Sequence, residues 1–403
     1  MKYLKYFEGY HNGKRYYIPT YDECVEIIKS NPEMYFYETK YDVEGYKVSI
    51  FSYRLAKHDN FMNPIPGKDL KATELKGISF VFNKDGSVYN HYLMLDKFWQ
   101  LDQYNHCSYE VYKNRKIKSV YNKEDGSLLT YIQLPNKKVV AKTKYGFKSE
   151  HSEMANNIYN RYDPIKKLVD YCIGHDISSL FELVGDRNAM VVRYGKTDLI
   201  LLRLRNNKTG EYIDLDDFQN ETKLLDGIRV CAKEDIKTLD ELIEKSKSVE
   251  GKEGWVAAFD DDTLLKVKTD WYNKQDKTTK TLLLRENHLI ELILNEKIDD
   301  VMSKLQRGVD DDIFENIDRI TEILGKYISE ASRTLRESKK YFHGMNGTPH
   351  DNKKRLALKY KDNKFFRLIM KSTKDVDDYD LIKEEILRTT NTLEKAREFL
   401  DNN

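Results

Sequence analysis

The stretch "RKIKSVYNKEDGSLLTYIQL", residues 115–134, decides how the chain is read. Two extended-looking segments, rich in β-branched and aromatic residues, flank a polar centre, "NKEDGS" (122–127). Asp-Gly between apolar runs is a strong hairpin signal, so one reading makes the centre a tight turn. The other aims the amine of Lys123 at a phosphate. A near copy, "NKDGSVY" at 83–89, has one residue fewer between Lys84 and Gly86 and is read as a plain turn. For Lys123 the local sequence leaves both readings open.

Working outward, the chain reads as mixed α/β up to about residue 275. Extended segments are predicted at 46–53, 77–82, 88–95, 138–145, 199–205, 255–259 and 264–272, with helices at 21–31, 152–172 and 238–248. "NKQDKTTKT" (273–281) is a polar linker. Beyond it the pattern turns helical. Residues 281–403 hold one proline, Pro349, and Ile313, Ile317, Ile320, Leu324, Tyr327 and Ala331 recur at helical spacing in "DDIFENIDRITEILGKYISEASRTLRESKKYF". "DYDLIKEEILRTTNTLEKAREFL" repeats that pattern. Two domains are expected, 1–275 and an all-helical 276–403. No internal repeat or low-complexity tract stands out.

Composition bounds the function. The 403 residues are 40% hydrophobic, enough for two cores. No apolar run reaches the roughly 18 residues of a membrane span, and the basic, aromatic N-terminus lacks a signal-peptide core. The four cysteines, Cys24, Cys107, Cys172 and Cys231, are scattered without a Cys-x-x-Cys pair. That argues against a zinc site or disulfide framework and fits a reducing, cytoplasmic setting. Net charge is +1, so any basic site must be local.

Further segments add to Lys123. In "LLKVKTDWY" (264–272), Lys266 and Lys268 are two apart in a predicted strand, so both ammoniums share a face that attracts an anion or a solvated surface. "SLFELVG" (179–185) sets Glu182 in an apolar strand, where a buried carboxylate needs a partner and an edge-strand carboxylate needs only water. "EGKEGWVAAF" (250–259) puts Glu253-Gly254 at the mouth of another apolar strand.

Taken in order, Lys-x-Asp-Gly, a strand glutamate, Glu-Gly-aromatic and Lys-x-Lys form one set. It resembles the covalent nucleotidyltransferases, and is most similar to the RNA ligase 1 family of T-even-like bacteriophages. The resembling stretches include "KGISFVF" (76–82), "DKFWQL" (96–101), "KEDGSL" (123–128), "KSEHSEMAN" (148–156), "LFELV" (180–184), "EGWVAAF" (253–259) and "KVKTDWY" (266–272). They span roughly residues 20–275; the C-terminal part agrees only as a helical domain of similar size.

The resemblance implies a nucleotidyltransferase domain of antiparallel sheets and helices, followed by an all-α domain. It implies that Lys123 attacks the α-phosphate of ATP to form lysyl-AMP. The AMP then passes to an RNA 5′-phosphate, and a 3′-hydroxyl seals the strands. A neutral lysine is required, and shifting one from its usual ~10.4 to pH 7 costs about 4 kcal/mol. Lys266, Lys268 and a Mg²⁺ or Mn²⁺ ion would favour that neutral amine and neutralise the transferring phosphate. By the same resemblance Asp125 and Gly126 belong to the catalytic motif, and Glu253 and Asp125 orient the metal's water shell or the lysine itself. Glu182 meets the ribose, Glu182 and Glu253 serve the metal, and Lys76, Lys97 and Lys144 meet phosphates. The adenine stack is sought in 199–205 or at Tyr272.

Two positions depart from the family pattern: Lys76 stands where arginine is usual, and Ala189, beside Arg187, where another arginine is usual. In the helical part, "KKRLALKYKDNKFFRLIMK" (353–371) sets Lys353, Lys354, Arg355, Lys359 and four further basic residues against one acid, Asp362. It is read as an RNA-binding face, with tRNA a candidate, or as a solvated helix face. The expectation is a monomeric, phage-type RNA repair enzyme acting on single-stranded RNA ends. The alternatives are an attenuated, end-binding homologue, or a DNA ligase or capping-type enzyme. The last two usually carry an OB-fold where this chain turns helical.

Overall fold

The computed structural model describes residues 16–31, 35–185, 192, 194–261, 263–275, 285–298, 302, 311–373 and 377–403. The two strands flanking "NKEDGS" do not pair with each other. Strand β6 (Ile117–Lys123) lies in a five-stranded sheet with β12 (Lys233–Glu234), β13 (Gly254–Phe259), β14 (Leu264–Lys268) and β5 (Trp99–Gln100), in the order β12-β6-β13-β14-β5. Strand β7 (Ser127–Gln133) belongs to a second sheet, in the order β11-β10-β9-β7-β8. Its other members are β8 (Val139–Thr143), β9 (Ile177–Val184), β10 (Asp198–Asn206) and β11 (Tyr212–Ile213).

Residues 124–126 therefore carry the chain from one sheet to the other, and the hairpin reading of Asp-Gly fails here. The cause is a tight crossing. A Cβ on Gly126 would lie 2.3 Å from the Leu183 carbonyl oxygen of β9, so only glycine fits. The look-alike at 83–87 is a true hairpin. It joins β3 (Ile78–Phe82) to β4 (Val88–Tyr92), with Asn83 N donating to Ser87 O at 2.9 Å. These two form a third sheet with β1 (Phe36–Val43) and β2 (Tyr46–Tyr53), in the order β1-β2-β3-β4.

The pairings among β2 to β14 are antiparallel except the short β14–β5 contact. Helices α4 (Glu150–Arg161) and α5 (Asp163–Gly174) cover the second sheet, burying Leu129, Phe181 and Leu183 among others. Each such side chain contributes roughly 1.5–3 kcal/mol. A further apolar cluster draws Tyr121, Ala258 and Leu264 from one five-stranded sheet and Val184 and Ile200 from the other. The two sheets thus face each other across it.

Several segments read as continuous are divided. The helix at 152–172 breaks at Tyr162, which is extended, and restarts with Pro164 in its first turn, where a missing N–H costs nothing. The strand at 264–272 stops at Lys268. There the Thr269 hydroxyl accepts from Tyr272 N at 3.0 Å and caps α8 (Asp270–Gln275). The last pattern splits into α13 (Asp378–Thr389) and α14 (Leu393–Asp401), the second capped by Thr392.

The chain forms two compact units. One takes in Met1–Ser30, Tyr37–Tyr53 and Lys57–Gln275; the other takes in Asn31–Phe36, Arg54–Ala56 and Asp276–Asn403. In the second, α10 (Asp311–His343) buries Ile313, Ile317, Ile320, Leu324 and Ala331, the stripe read from the sequence. It packs against α9 (Glu286–Leu294) and α13. Among the described residues no helix is long and apolar enough to cross a membrane.

Candidate active site

Lys123 is the last residue of β6, and its register partner on β13 is Gly254, which also pairs with Lys268 of β14. Gly254 thus sits between the two lysines. A Cβ there would lie 2.1 Å from the Val267 carbonyl oxygen, so the three strands close up only around glycine. The residue before it, Glu253, is 4% exposed. One of its oxygens takes Lys123 Nζ at 2.6 Å and the other takes Lys268 Nζ at 3.2 Å. A single buried carboxylate bridges two lysines, which orients both.

Lys123 faces a cleft of about 270 Å³. It is lined by Lys76, Lys123, Gly126, Glu182 and Lys266 and by the apolar side chains of Leu95, Phe98, Leu202, Val256 and Leu264. The Glu182 carboxyl is pushed up to about 8, first by burial, with Lys123 opposing and Glu253, Asp125 and Glu124 adding to the rise. Lys76 is held well below the usual lysine range by burial, then by Lys266, Lys97 and Lys144, with Asp96 opposing. Its Nζ donates to the Asp96 carbonyl at 3.1 Å. Lys76 and Lys266 lie 4.7 and 4.8 Å from the centre of the same ring, Phe98. Lys97 Nζ is 3.2 Å from the Tyr53 hydroxyl and Lys144 Nζ lies 3.9 Å over the Tyr53 ring. Four lysines crowded in this way favour a polyanion such as a triphosphate.

Buried groups fix the lysines from behind. Arg205, fully buried, binds Glu74 through two hydrogen bonds of 2.8 and 2.6 Å and donates to Met94 O at 2.6 Å. Lys142, also fully buried, donates to Gly77 O at 2.7 Å and approaches Met94 Sδ and Thr143 O, each at 3.2 Å. Burial pushes its amine down to about 7. Both side chains therefore tie residues 74–77, which carry Lys76, to residues 94–97, which carry Lys97. The sequence reading missed them, although "KTK" (142–144) and "RLR" (203–205) show the same two-residue spacing that singled out Lys266 and Lys268. Asn122 was missed too, whereas Arg203 falls in the 199–205 stretch searched for the adenine contact. Both line the cleft, Arg203 lying 3.3 Å over the Tyr121 ring and Asn122 accepting from Lys252 at 3.1 Å.

Other expected residues lie elsewhere. Asp125 does not line the cleft. It is 3% exposed, accepts from Val192 N at 2.8 Å and from the Tyr272 hydroxyl at 3.3 Å, and its N–H donates to Tyr194. It holds Val192 and Tyr194 in place. Tyr272 is buried against Lys268, 4.9 Å from Nζ to ring centre, and is not among the side chains that line the cleft. The cause is the capped turn at Thr269, which moves Tyr272 off the strand. Ala189 and Arg187 fall outside the described residues.

Among the described residues, no three His, Cys, Asp or Glu side chains gather as a metal cage. Glu253 has both oxygens on lysines, while Glu182 is a carboxyl whose charge a cation would relieve. This set suits Mg²⁺, which keeps several waters and takes one or two carboxylates together with substrate phosphates.

In the helical unit, Lys353, Lys354, Arg355 and Lys359 are exposed on α11 (Pro349–Tyr360). Lys359 Nζ lies 3.6 Å over the Tyr341 ring. The helix read across 353–371 ends at Tyr360 and restarts as α12 (Phe366–Lys371). Lys364 meets Glu330 at 2.5 Å, and Arg367 and Lys371 meet Glu385 at 3.6 and 3.4 Å. The basic face is therefore shorter than the sequence suggested, because acids from other helices reach its second half.

The family model described as RNA ligase matches residues 77–278, half of the chain. This chain belongs to the RNA ligase family. The match spans Lys76's neighbour Gly77, Lys123, Glu182, Glu253 and the Lys266–Lys268 pair. A Thermovibrio ammonificans protein named "Putative RNA ligase" is 25% identical to this ligase over 291 residues, 70% of this chain and 72% of its own. Among solved structures, the ligase is similar to an archaeal ATP-dependent RNA ligase at 14% identity and a TM-score of 0.46, covering 82% of this chain and 81% of that one. It is also similar to a variant of the Naegleria gruberi RNA ligase at 14% identity and a TM-score of 0.37, covering 46% of this chain and 58% of that one.

Proposed function

We propose that this ligase is ATP-dependent and works through AMP held covalently on Lys123. The observation that carries the reading is the bridge Lys123–Glu253–Lys268 at the edge of a lysine-rich cleft. Lys123 Nζ leaves its ion pair, gives up a proton and attacks the α-phosphorus of ATP. The N–P bond forms, the α–β phosphoanhydride breaks, pyrophosphate departs, and the nitrogen releases its second proton to solvent. Glu253 Oε2, 2.6 Å away, is the acceptor within reach of that proton. Lys76, Lys97, Lys144 and Lys266 supply positive charge for the pyrophosphate, and the apolar side chains lining the cleft take the base. Mg²⁺ or Mn²⁺, when bound, would shield phosphate charge, with Glu182 and Glu253 facing its ligand waters.

The AMP then moves to an RNA 5′-phosphate, and a 3′-hydroxyl attacks that activated phosphate and releases AMP. Residues 1–275 carry the adenylyl chemistry. Residues 276–403 bind RNA through Lys353, Lys354, Arg355 and Lys359. Single-stranded ends, including those of cut tRNA, are the substrates to supply.

The test uses α-labelled ATP and Mg²⁺, followed by a 5′-phosphorylated single-stranded RNA. Wild type should hold label on Lys123 and release it as RNA-adenylate. Lys123→Ala should stay folded and take no label, while Lys84→Ala labels normally. Label mapped to Lys84, or no label on any lysine, would overturn the proposal.

A further inference from the structure

We infer that Tyr145 is a stacking platform for an unpaired base of the RNA, set at the rim of the phosphate-binding lysines. Tyr145 follows Lys144 at the end of β8, and 49% of its surface is exposed. An exposed aromatic side chain is ordinary on a mobile loop, but this one has a fixed mount. The Tyr41 hydroxyl donates to Tyr145 O at 2.7 Å, and Thr143 Oγ1 takes Tyr145 N at 3.3 Å. Ser52 Oγ donates to Lys144 O at 3.0 Å, and Thr143 N closes the turn on Gly146 O at 2.9 Å. The turn also depends on Gly146, because a Cβ there would lie 2.2 Å from the Tyr41 hydroxyl. Holding one backbone segment this firmly presents the ring to solvent from a fixed backbone position, which lowers the entropic cost of stacking.

The neighbours identify the ligand. Lys144 Nζ lies 4.8 Å from the Tyr145 ring centre and 3.9 Å from that of Tyr53, whose hydroxyl meets Lys97. Aromatic and cation thus alternate from Tyr145 through Lys144 and Tyr53 to Lys97. That pattern suits a single-stranded nucleic acid, with phosphate on the lysines and a base face on the ring. Stacking reads no sequence, so the platform would accept any base. It would act on the RNA and not on ATP.

The inference rests on the RNA-joining reading, and its test separates the two. Full-length wild type, Tyr145→Ala and Tyr145→Phe are compared in lysyl-AMP formation with ATP alone, in transfer of AMP to a 5′-phosphorylated single-stranded RNA, and in direct binding of that RNA by anisotropy. Tyr145→Ala should form lysyl-AMP at the wild-type rate while raising KM and Kd for RNA roughly 5- to 150-fold, the range for one lost base stack. Tyr145→Phe should bind like wild type. An RNA abasic at one nucleotide near its 5′-phosphate should bind wild type and Tyr145→Ala equally. Unchanged RNA binding by Tyr145→Ala would overturn the inference. So would an effect that no abasic position removes, or an equal slowing of lysyl-AMP formation. If wild type forms no lysyl-AMP, the ATP reading fails, and the binding arm still decides the platform.

Discussion

Lys123 Nζ and Glu253 Oε2 stand 2.6 Å apart, an ion pair reaching from the end of β6 to the residue just before β13. The pair joins two strands whose register meets at Lys123 and Gly254, and the other oxygen of Glu253 holds Lys268. Glu253→Gln keeps the shape and removes the charge. Lys268, buried at 6% exposure, then loses its counter-charge. The expected cost is about 3 kcal/mol, the low end for breaking a buried pair, because the amide still accepts a hydrogen bond. Lysyl-AMP should fall below detection. Adding Lys268→Met should recover much of the stability, read by urea denaturation, without recovering the adduct. Recovery of both together would show that Glu253 serves only the fold.

Gly126 and Gly86 occupy look-alike motifs and should respond differently to alanine. At Gly126 the new Cβ would meet the Leu183 carbonyl at 2.3 Å, and the crossing between sheets must shift, moving Lys123 with it. A loss of roughly 2–3 kcal/mol and of lysyl-AMP formation is expected. At Gly86 nothing lies within 4 Å, and only the positive φ of 87° is strained. About 1 kcal/mol should be lost and adenylylation kept. Melting curves and label uptake on both variants separate the crossing from the turn.

The contrast shows what the sequence made legible. Period-two alternation located the strands, and helical spacing located the stripe of α10, because both are local patterns. Sheet membership was not legible. Asp125-Gly126 reads as a hairpin locally, and only the distant carbonyl of Leu183 makes it a crossing. The same distance hid the supports. Arg205 needs Glu74, 131 positions away, and Lys142 needs Gly77, 65 away. Breaks at Tyr162 and Thr269 were marked by Pro164 and a capping threonine, but apolar spacing ran through them. Lys123, Glu182, Glu253 and Lys266 stood out because each interrupts an apolar run or repeats a charge at strand spacing. Arg203 and Asn122 do so less plainly.

Glu182 sets a pH dependence. Its carboxyl titrates near 8 when folded and near the ordinary 4.5 when unfolded. Between those values the folded chain keeps a proton that the unfolded chain has released, so stability falls as pH rises through the window. Glu182→Gln removes this loss. The variant should exceed wild type by roughly 4 kcal/mol at pH 8 and by under about 1 kcal/mol at pH 5, while forming lysyl-AMP more slowly. Parallel denaturation curves at the two pH values would show no such burden.

Lys76 should take up a proton when a polyanion binds. In the free ligase, burial and then Lys266, Lys97 and Lys144 hold its amine well below the ordinary range. Pyrophosphate among these lysines brings negative charge, which favours the ammonium. Calorimetry of pyrophosphate binding at pH 8, in two buffers of different ionisation enthalpy, should show proton uptake that is smaller in Lys76→Met. Lys76→Arg, permanently charged, should also lower the uptake while keeping much of the affinity. Equal uptake by all three proteins would place the titration elsewhere.

The last prediction divides the basic residues of the helical unit by their partners. Lys353, Lys354, Arg355 and Lys359 are exposed on one helix, with Lys359 against the Tyr341 ring, whereas Lys364 meets Glu330 and Arg367 and Lys371 share Glu385. A cation already held by a carboxylate brings less net charge to a phosphate. Replacing the first four with alanine should weaken RNA binding at low salt and reduce the slope of log K against log salt by up to about 3, near 0.7 for each phosphate contact on a single strand. Replacing the other three should change the slope by less than about 1. Glu385 is 7% exposed and would lose two of its cations, so that variant should instead melt earlier. Lysyl-AMP formation should persist in both, because none of these seven residues lines the cleft around Lys123. Equal salt slopes for the two triple and quadruple variants would remove α11 as the RNA face. A slope change confined to the second group would move that face to the residues beyond Tyr360.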